Sequence, residues 1–270
     1  MIDQTDLNRN ALEPSLALLP DQWRERIECL HYAYQPIVCP KSVSVYGVEA
    51  LLRGTETLGM PTIQSLFDLA FEDGVLHAFD LCMRYKALMG CAEQLRRTGS
   101  RLFYNLDTRC IIDPSYSSGS TAELLSLLDL QAGQVCLEIS EQNELLPQAR
   151  VEGLLSAYRD QGYTIALDDY GAGYGQLRTL FVASPEVLKI DRFFVQNIDV
   201  DPKKLLFVTR ILGFAQELGL LVVVEGVETE HEFEICLEIG VDLVQGYFLM
   251  RPTTDVDRAL TLNFELNSWS

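Results

Sequence analysis

Short runs in which apolar and polar positions alternate recur along the chain, separated by longer stretches whose apolar residues return every three or four positions. Strand-like runs stand at 32–38 (YAYQPIV), 43–52 (VSVYGVEALL), 101–106, 134–139, 163–168, 186–190, 220–225 and 241–247. Helical spacing covers Ile63–Arg97, Ala122–Asp129, Asn143–Gln161, Pro202–Leu218 and Glu230–Ile239. Residues 39–42 alone separate the first two strands, which suits a hairpin, because a parallel crossover needs about a dozen residues or more. The pattern therefore predicts an α/β fold, a (β/α)8 TIM-like barrel whose first strand is antiparallel to the others. An open doubly wound sheet is the alternative, but no G-x-G-x-x-G turn follows an early strand. Residues 1–28 read as a tail or linker with one helix, capped by Asp21 and carrying Trp23 and Ile27; residues 29–270 form the barrel domain.

Polar residues fall unevenly on these runs. Glu49, Asn105, Glu138, Asp168 with Asp169, Lys189 with Asp191, Glu225 and Gln245 stand at or near the ends of successive strands two to eight. In a parallel barrel those ends meet on one face, so the set would converge on one mouth. Asp168 and Asp169 are adjacent in YTIALDDYGAGY. Two carboxylates about 4 Å apart repel by about 4 kcal/mol at an effective dielectric near 20, so a fold that fixes them calls for a cation. Taken alone, the pair also suits a solvated turn in which aspartate caps the next helix. The series on successive strands is what points to a site, and one or two divalent cations would organise it.

Composition narrows the chemistry. The formal net charge of −18 over 270 residues argues against sequence-independent binding of a nucleic acid polymer, which depends on cations set against phosphates. Cysteines 29, 39, 82, 91, 110, 136 and 236 are scattered and never spaced C-x-x-C, as in reduced thiols. His31, His77 and His231 form no local H-x-x-x-H motif, so oxygen ligands and Mg2+, Mn2+ or Ca2+ are expected. No apolar run approaches the ~20 residues that span a bilayer, and no basic segment followed by an apolar core opens the chain. The expected location is cytoplasmic.

Glu49–Ala50–Leu51 stands inside VEALLR, followed in order by NLDTR at 105–109, LEISE at 137–141, LDDYGAGY at 167–174, LKID at 188–191, EGVET at 225–229 and QGY at 245–247. As an ordered set running from Tyr32 to Pro252, these blocks resemble the EAL-domain phosphodiesterases of bacterial cyclic di-GMP signalling. The resemblance implies that Glu49, Asn105, Glu138 and Asp168 ligate one metal and that Asp168 and Asp169 serve a second. It implies catalytic roles for Glu225, as a candidate base, for Lys189, near the water or scissile phosphate, and for Glu228 and Gln245, which line the site. Arg53, Leu52 and Gln35, the last beside Pro36, are implied to face the substrate, with Arg53 on phosphate. Glu141 would steady the loop after Asp169, which couples metal binding to dimerisation. The implied cofactors are two Mg2+ or Mn2+ ions per site, with Ca2+ inhibitory, and the implied partners are cyclic di-GMP and a second copy of the chain. The implied reaction is attack of water on one phosphorus, expulsion of a 3′-oxygen and release of linear 5′-pGpG.

The chain departs from the family pattern at Tyr170, Ala172 and Gly175–Gln176, where phenylalanine, threonine and paired serines are usual. The segment after Arg53, GTETLGMPTIQS, is shorter than typical and lacks the customary aromatic and histidine. These changes touch the substrate rim and the loop and leave the ligand positions filled. The competing reading is a weak or inactive EAL-type receptor or protein-interaction module. Barrel logic alone would also allow Lys189 as a Schiff-base nucleophile, which the surrounding carboxylates oppose by keeping it protonated.

Overall fold

Eight strands close into a barrel in the order in which the chain lays them down. The structure is a computed structural model that describes residues 19–113, 116, 119–140, 148–172 and 176–262. The strands are β1 (His31–Cys39), β2 (Ser44–Arg53), β3 (Arg101–Asn105), β4 (Val135–Ile139), β5 (Thr164–Tyr170), β6 (Val187–Ile190), β7 (Leu221–Val224) and β8 (Leu243–Val244). As expected, β1 is antiparallel to β2, from His31 opposite Arg53 to Cys39 opposite Ser44, and closes on β8 through Val38 and Val244. All other neighbours are parallel.

Ten helices among the described residues surround the strands: α1 (Asp21–Cys29), α2 (Ile63–Glu72), α3 (Leu76–Thr98), α4 (Ser120–Leu127), α5 (Gln148–Asp160), α6 (Gln176–Ala183), α7 (Arg192–Val195), α8 (Pro202–Glu217), α9 (Glu230–Glu238) and α10 (Val256–Leu260). The helical stretch expected over Ile63–Arg97 is two helices. Gly74, at φ +68°, donates to Phe71 O, and Val75 donates to Ala70 O; this pair of bonds closes the last turn of α2 around a left-handed residue. Asp21 is the first residue of α1 and not its cap, since Pro20 holds that position. Trp23 and Ile27 are buried, Trp23 Nε1 donates to Asp73 Oδ2 at 2.9 Å, and Lys86 Nζ donates to the Ile27 and Leu30 carbonyls at 2.7 and 2.6 Å. As apolar residues on helix faces, Leu218 and Leu220 are expected in the core; Leu218 is instead 47% exposed, and Leu220 is half-buried against the core. Periodicity does not mark the short α6, α7 and α10: Leu177, Phe181 and Phe193 are exposed on α6 and α7, and α10, which buries Val256, Ala259 and Leu260, spans only five residues. No described helix is long and apolar enough to cross a membrane.

The barrel interior is layered. Ile37, Phe103, Cys136, Ala166, Val187, Val223 and Leu243, one from each of seven strands, pack into a single apolar cluster. Side chains two residues apart on a strand share a face, so the next inward position is fixed: Asn105, Glu138, Asp168, Lys189, Glu225 and Gln245 follow those residues by two, and Gln35 precedes Ile37 by two because β1 runs the other way. On β2 the lower position is Gly47, two before Glu49. A Cβ there would stand 2.5 Å from Arg101 O and 3.1 Å from the Phe103 ring, so the absent side chain is what lets β2 approach β3.

Gly47→Ala is expected to lower unfolding free energy by about 1–3 kcal/mol, the usual cost of overpacking a filled interior, read as a lower denaturant midpoint at unchanged slope. An unchanged midpoint would show that the barrel yields at this point.

Candidate active site

Above the apolar layer, one ammonium organises the acids. Lys189 is fully buried on β6, and its Nζ lies 2.6 Å from Glu138 Oε1, 2.8 Å from Glu225 Oε1, 2.9 Å from Asp168 Oδ1 and 3.4 Å from Glu49 Oε2. Burial pulls the Lys189 ammonium down, but Asp168, Glu138, Glu225 and Glu49 outweigh it and hold the group well above its ordinary range. The amine is therefore a cation, which removes the Schiff-base reading.

A single positive charge cannot satisfy four carboxylates. Burial, followed by Glu49, drives Glu138 well above the carboxylate range, against the pull of Lys189. Glu225 is raised in the same direction, by burial first and by Asp168 and Glu49 beyond what Lys189 offsets. Glu138 Oε1 and Asp168 Oδ1 are buried against Lys189 Nζ at 2.6 and 2.9 Å, but one ammonium has three protons for the oxygens of four carboxylates, which leaves lone pairs of these acids without a donor. Oxygen atoms in this condition suit a hard divalent cation.

The Asp168–Asp169 pair shows how the backbone places two neighbours on one side. Strict alternation would turn them to opposite faces. Instead the β5–β6 register shifts between Leu167 and Tyr170, and Asp169 takes φ +54°, a left-handed conformation that aspartate tolerates better than most residues. Ligand oxygens of Asp168, Asp169 and Glu225 consequently lie within 4.8 Å of one another. Burial, with Asp168 beside it, pushes the Asp169 carboxyl up to about 6.

Amides tie the remaining acids. Asn105 Nδ2 bridges Glu49 Oε1 at 3.2 Å and Glu138 Oε2 at 3.0 Å. Gln245 Nε2 donates to Glu49 Oε2 at 2.8 Å and to Gln35 Oε1 at 3.1 Å, and Gln35 Nε2 donates to Met250 O. The four residues expected to share one ion are thus linked through Asn105 and Lys189.

Two clefts open beside this cluster. The larger, about 400 Å³, sets Asn105, Glu138, Asp168 and Asp169 against a wall that includes Leu52, Tyr32, Phe67 and Tyr104. The second, about 300 Å³, is lined by Gln35, Glu49, Asp168, Asp169, Glu225, Glu228, Gln245 and Arg192, among others. Arg53 lines neither; its Nη1 donates to Leu52 O at 2.8 Å. Glu141 and the loop residues 173–175 lie outside the described residues.

Several residues here were not foreseen. Phe67 reaches the larger cleft from α2, and Tyr32 reaches it from the reversed β1. Glu232, 3% exposed, accepts from the backbone N–H groups of Glu228, Thr229 and Asn197 at 2.8–3.1 Å. Its signal was present in the sequence, since Thr229 and Glu232 form the capping box of α9. Arg192, whose Nη2 meets Glu228 Oε1 at 2.8 Å, had no local signal.

The EAL domain family model matches residues 21–252. The chain is 31% identical over 252 residues to an uncharacterised protein of Azorhizobium caulinodans, covering 90% of this chain and 34% of that one. It is 30% identical over 228 residues to the cyclic di-GMP phosphodiesterase RocR of Pseudomonas aeruginosa, covering 81% of this chain and 56% of RocR. It is 27% identical over 234 residues to the probable cyclic di-GMP phosphodiesterase PdeG of Escherichia coli, covering 83% of this chain and 45% of PdeG. The chain thus spans between 34% and 56% of the length of these three relatives. Among solved structures it is similar to Klebsiella pneumoniae BlrP1 in its manganese and cyclic di-GMP complex, with 29% identity and a TM-score of 0.71 over 87% of this chain and 57% of that one. The EAL domain of Mycobacterium smegmatis DcpA gives 26% identity and a TM-score of 0.70 over 87% of this chain and 96% of that one. A closed barrel with a reversed first strand, acids raised from its strand ends and a family match across 21–252 lead to one conclusion: the chain belongs to the EAL domain family.

Proposed function

We propose that the chain hydrolyses cyclic di-GMP to linear 5′-pGpG with two divalent cations, Mg2+ or Mn2+. The observation that carries this reading is the crowd of carboxylates around Lys189, in which Glu49, Glu138, Asp168 and Glu225 share a single ammonium. Glu49, Asn105, Glu138 and Asp168 would hold one cation, and Asp168, Asp169 and Glu225 would hold the second, for which the 4.8 Å grouping is suited. Two bound cations supply charge neutralisation at the entering and leaving oxygens of an in-line displacement and make water more acidic. Relatives named as cyclic di-GMP phosphodiesterases support the substrate.

The residues divide the remaining work. Lys189, fixed as an ammonium and fully buried, holds Glu49, Glu138, Asp168 and Glu225 together beneath the clefts. Glu225, set at the second cleft, accepts a proton from water as the water oxygen bonds phosphorus. The bond from phosphorus to the 3′-oxygen breaks, and that oxygen takes a proton from solvent. Leu52, Tyr32 and Phe67 offer apolar surface to a base in the larger cleft. Gln245 and Gln35 fix Glu49 without adding charge.

The seven cysteines are all free, which suits the reducing cytoplasm we assign. For the second copy we propose contact through the exposed apolar side chains of α6, α7 and α8, Leu177, Phe181, Phe193 and Leu206, each 57–70% exposed.

Asp168→Asn should lower turnover of cyclic di-GMP by at least about 100-fold, since even residues that merely support a metal ligand cost up to about that much; near-normal turnover in a folded variant contradicts the shared-ligand role. Mg2+ should raise the melting temperature of chelator-treated protein, because a ligand that binds only the folded state stabilises it, and restore turnover. Ca2+ should bind without turnover, and full activity in excess chelator, or binding of cyclic di-GMP with no product under Mg2+ or Mn2+, would favour the receptor reading. Phe181→Glu should convert a dimer to a monomer by light scattering, and an unchanged mass would exclude that face.

A further inference from the structure

The substrate class proposed above carries two phosphodiester anions, and the clefts that would receive it are lined by acids in a chain of net charge −18. Among the described residues that line either cleft, Arg192 is the one arginine or lysine. Lys189 lies beneath them, fully buried and committed to four carboxylates. Arg53, the arginine that the family pattern points to, is turned onto the Leu52 carbonyl.

The fold builds a seat for Arg192. Asp191 follows β6 and caps α7 by accepting from Phe193 N at 2.8 Å, which fixes the backbone one residue before the arginine. Gly226, directly after the proposed base Glu225, takes φ +70°, and a Cβ on it would stand 2.3–2.8 Å from Arg192 Cβ, Cγ and Cδ. The aliphatic stem of Arg192 therefore lies in the slot that Gly226 leaves. Its guanidinium is carried over the second cleft to Glu228 Oε1 at 2.8 Å. Glu228 is itself held, because its N–H donates to buried Glu232.

The Arg192–Glu228 pair is 48% and 35% exposed, and an ion pair so open to water is weak and readily exchanged. A guanidinium fits two phosphate oxygens at once, a geometry that lysine does not reproduce. We infer that Arg192 is a phosphate-recognition residue of the second cleft, parked on Glu228 in the free protein and transferred to a non-bridging oxygen of the cyclic dinucleotide when it enters. Gly226 is the positioning residue for this contact, since it admits the stem that aims the guanidinium. The inference rests on the cyclic di-GMP reading and adds the residue that reads the anion.

The test is equilibrium binding of cyclic di-GMP in the presence of Ca2+, by calorimetry, on the whole chain. Arg192→Ala should weaken binding by about 10- to 100-fold, the range for losing a charge-assisted hydrogen bond, and should flatten the dependence of affinity on salt. Arg192→Lys should recover only part of the loss. Glu228→Gln separates contact from indirect support: with its competitor neutralised, Arg192 should hold the ligand at least as tightly, whereas a loss equal to that of Arg192→Ala would show that Arg192 acts only by placing Glu228. Thermal unfolding of each variant checks that the fold persists. Unaltered protein that binds while folded Arg192→Ala binds equally well overturns this inference and leaves the proposed function standing. Unaltered protein that does not bind cyclic di-GMP overturns both.

Discussion

One buried ammonium governs the upper half of the barrel. Lys189 lies within 3.4 Å of oxygens from Glu49, Glu138, Asp168 and Glu225, so strands β2, β4, β5 and β6 and the residue that follows β7 all meet at one charge. Burying any one of these ions alone would cost several kcal/mol. The arrangement persists because each acid faces the same cation, yet it is electrostatically incomplete, with more negative than positive charge in a largely buried space. That imbalance makes the site receptive to further cations, and together with burial, the larger cause, it holds Glu138 and Glu225 above their ordinary carboxylate range.

Sheet geometry delivers the imbalance to one place. The apolar layer of Ile37, Phe103, Cys136, Ala166, Val187, Val223 and Leu243 seals the barrel below, and the two-residue period of a strand then obliges the next inward side chains to form the polar layer. Two local departures complete it. Gly47 removes a side chain from the lower layer of β2, and the shift at Asp168–Asp169 sets two consecutive carboxylates on one side. The reversal of β1 brings Gln35 into the same ring from the opposite chain direction and Tyr32 to the cleft.

Much of this could be read in the letters because it is periodic. A run such as VLKI followed by aspartate carries its lysine two residues after an inward valine, and five other strands repeat that relation in their own terms, with β1 reversing it and β2 placing Gly47 below Glu49. What could not be read is contact across the chain. Nothing near Arg192 in sequence announces that Gly226 will leave room for its stem, and nothing near Phe67 places it opposite Asn105. The single helix expected over Ile63–Arg97 failed for a local reason that the sequence did contain, because Asp73–Gly74 supports a left-handed stop. Leu218 failed because helical spacing marks a face without saying whether anything covers it.

Anomalous scattering from crystals grown with Mn2+ tests the central claim most directly. The account predicts two manganese peaks on the carboxylate side of Lys189 Nζ, one bounded by Glu49, Asn105, Glu138 and Asp168 and the other by Asp168, Asp169 and Glu225. Manganese found only at surface acids, with the Lys189 cluster still closed on itself, would contradict it.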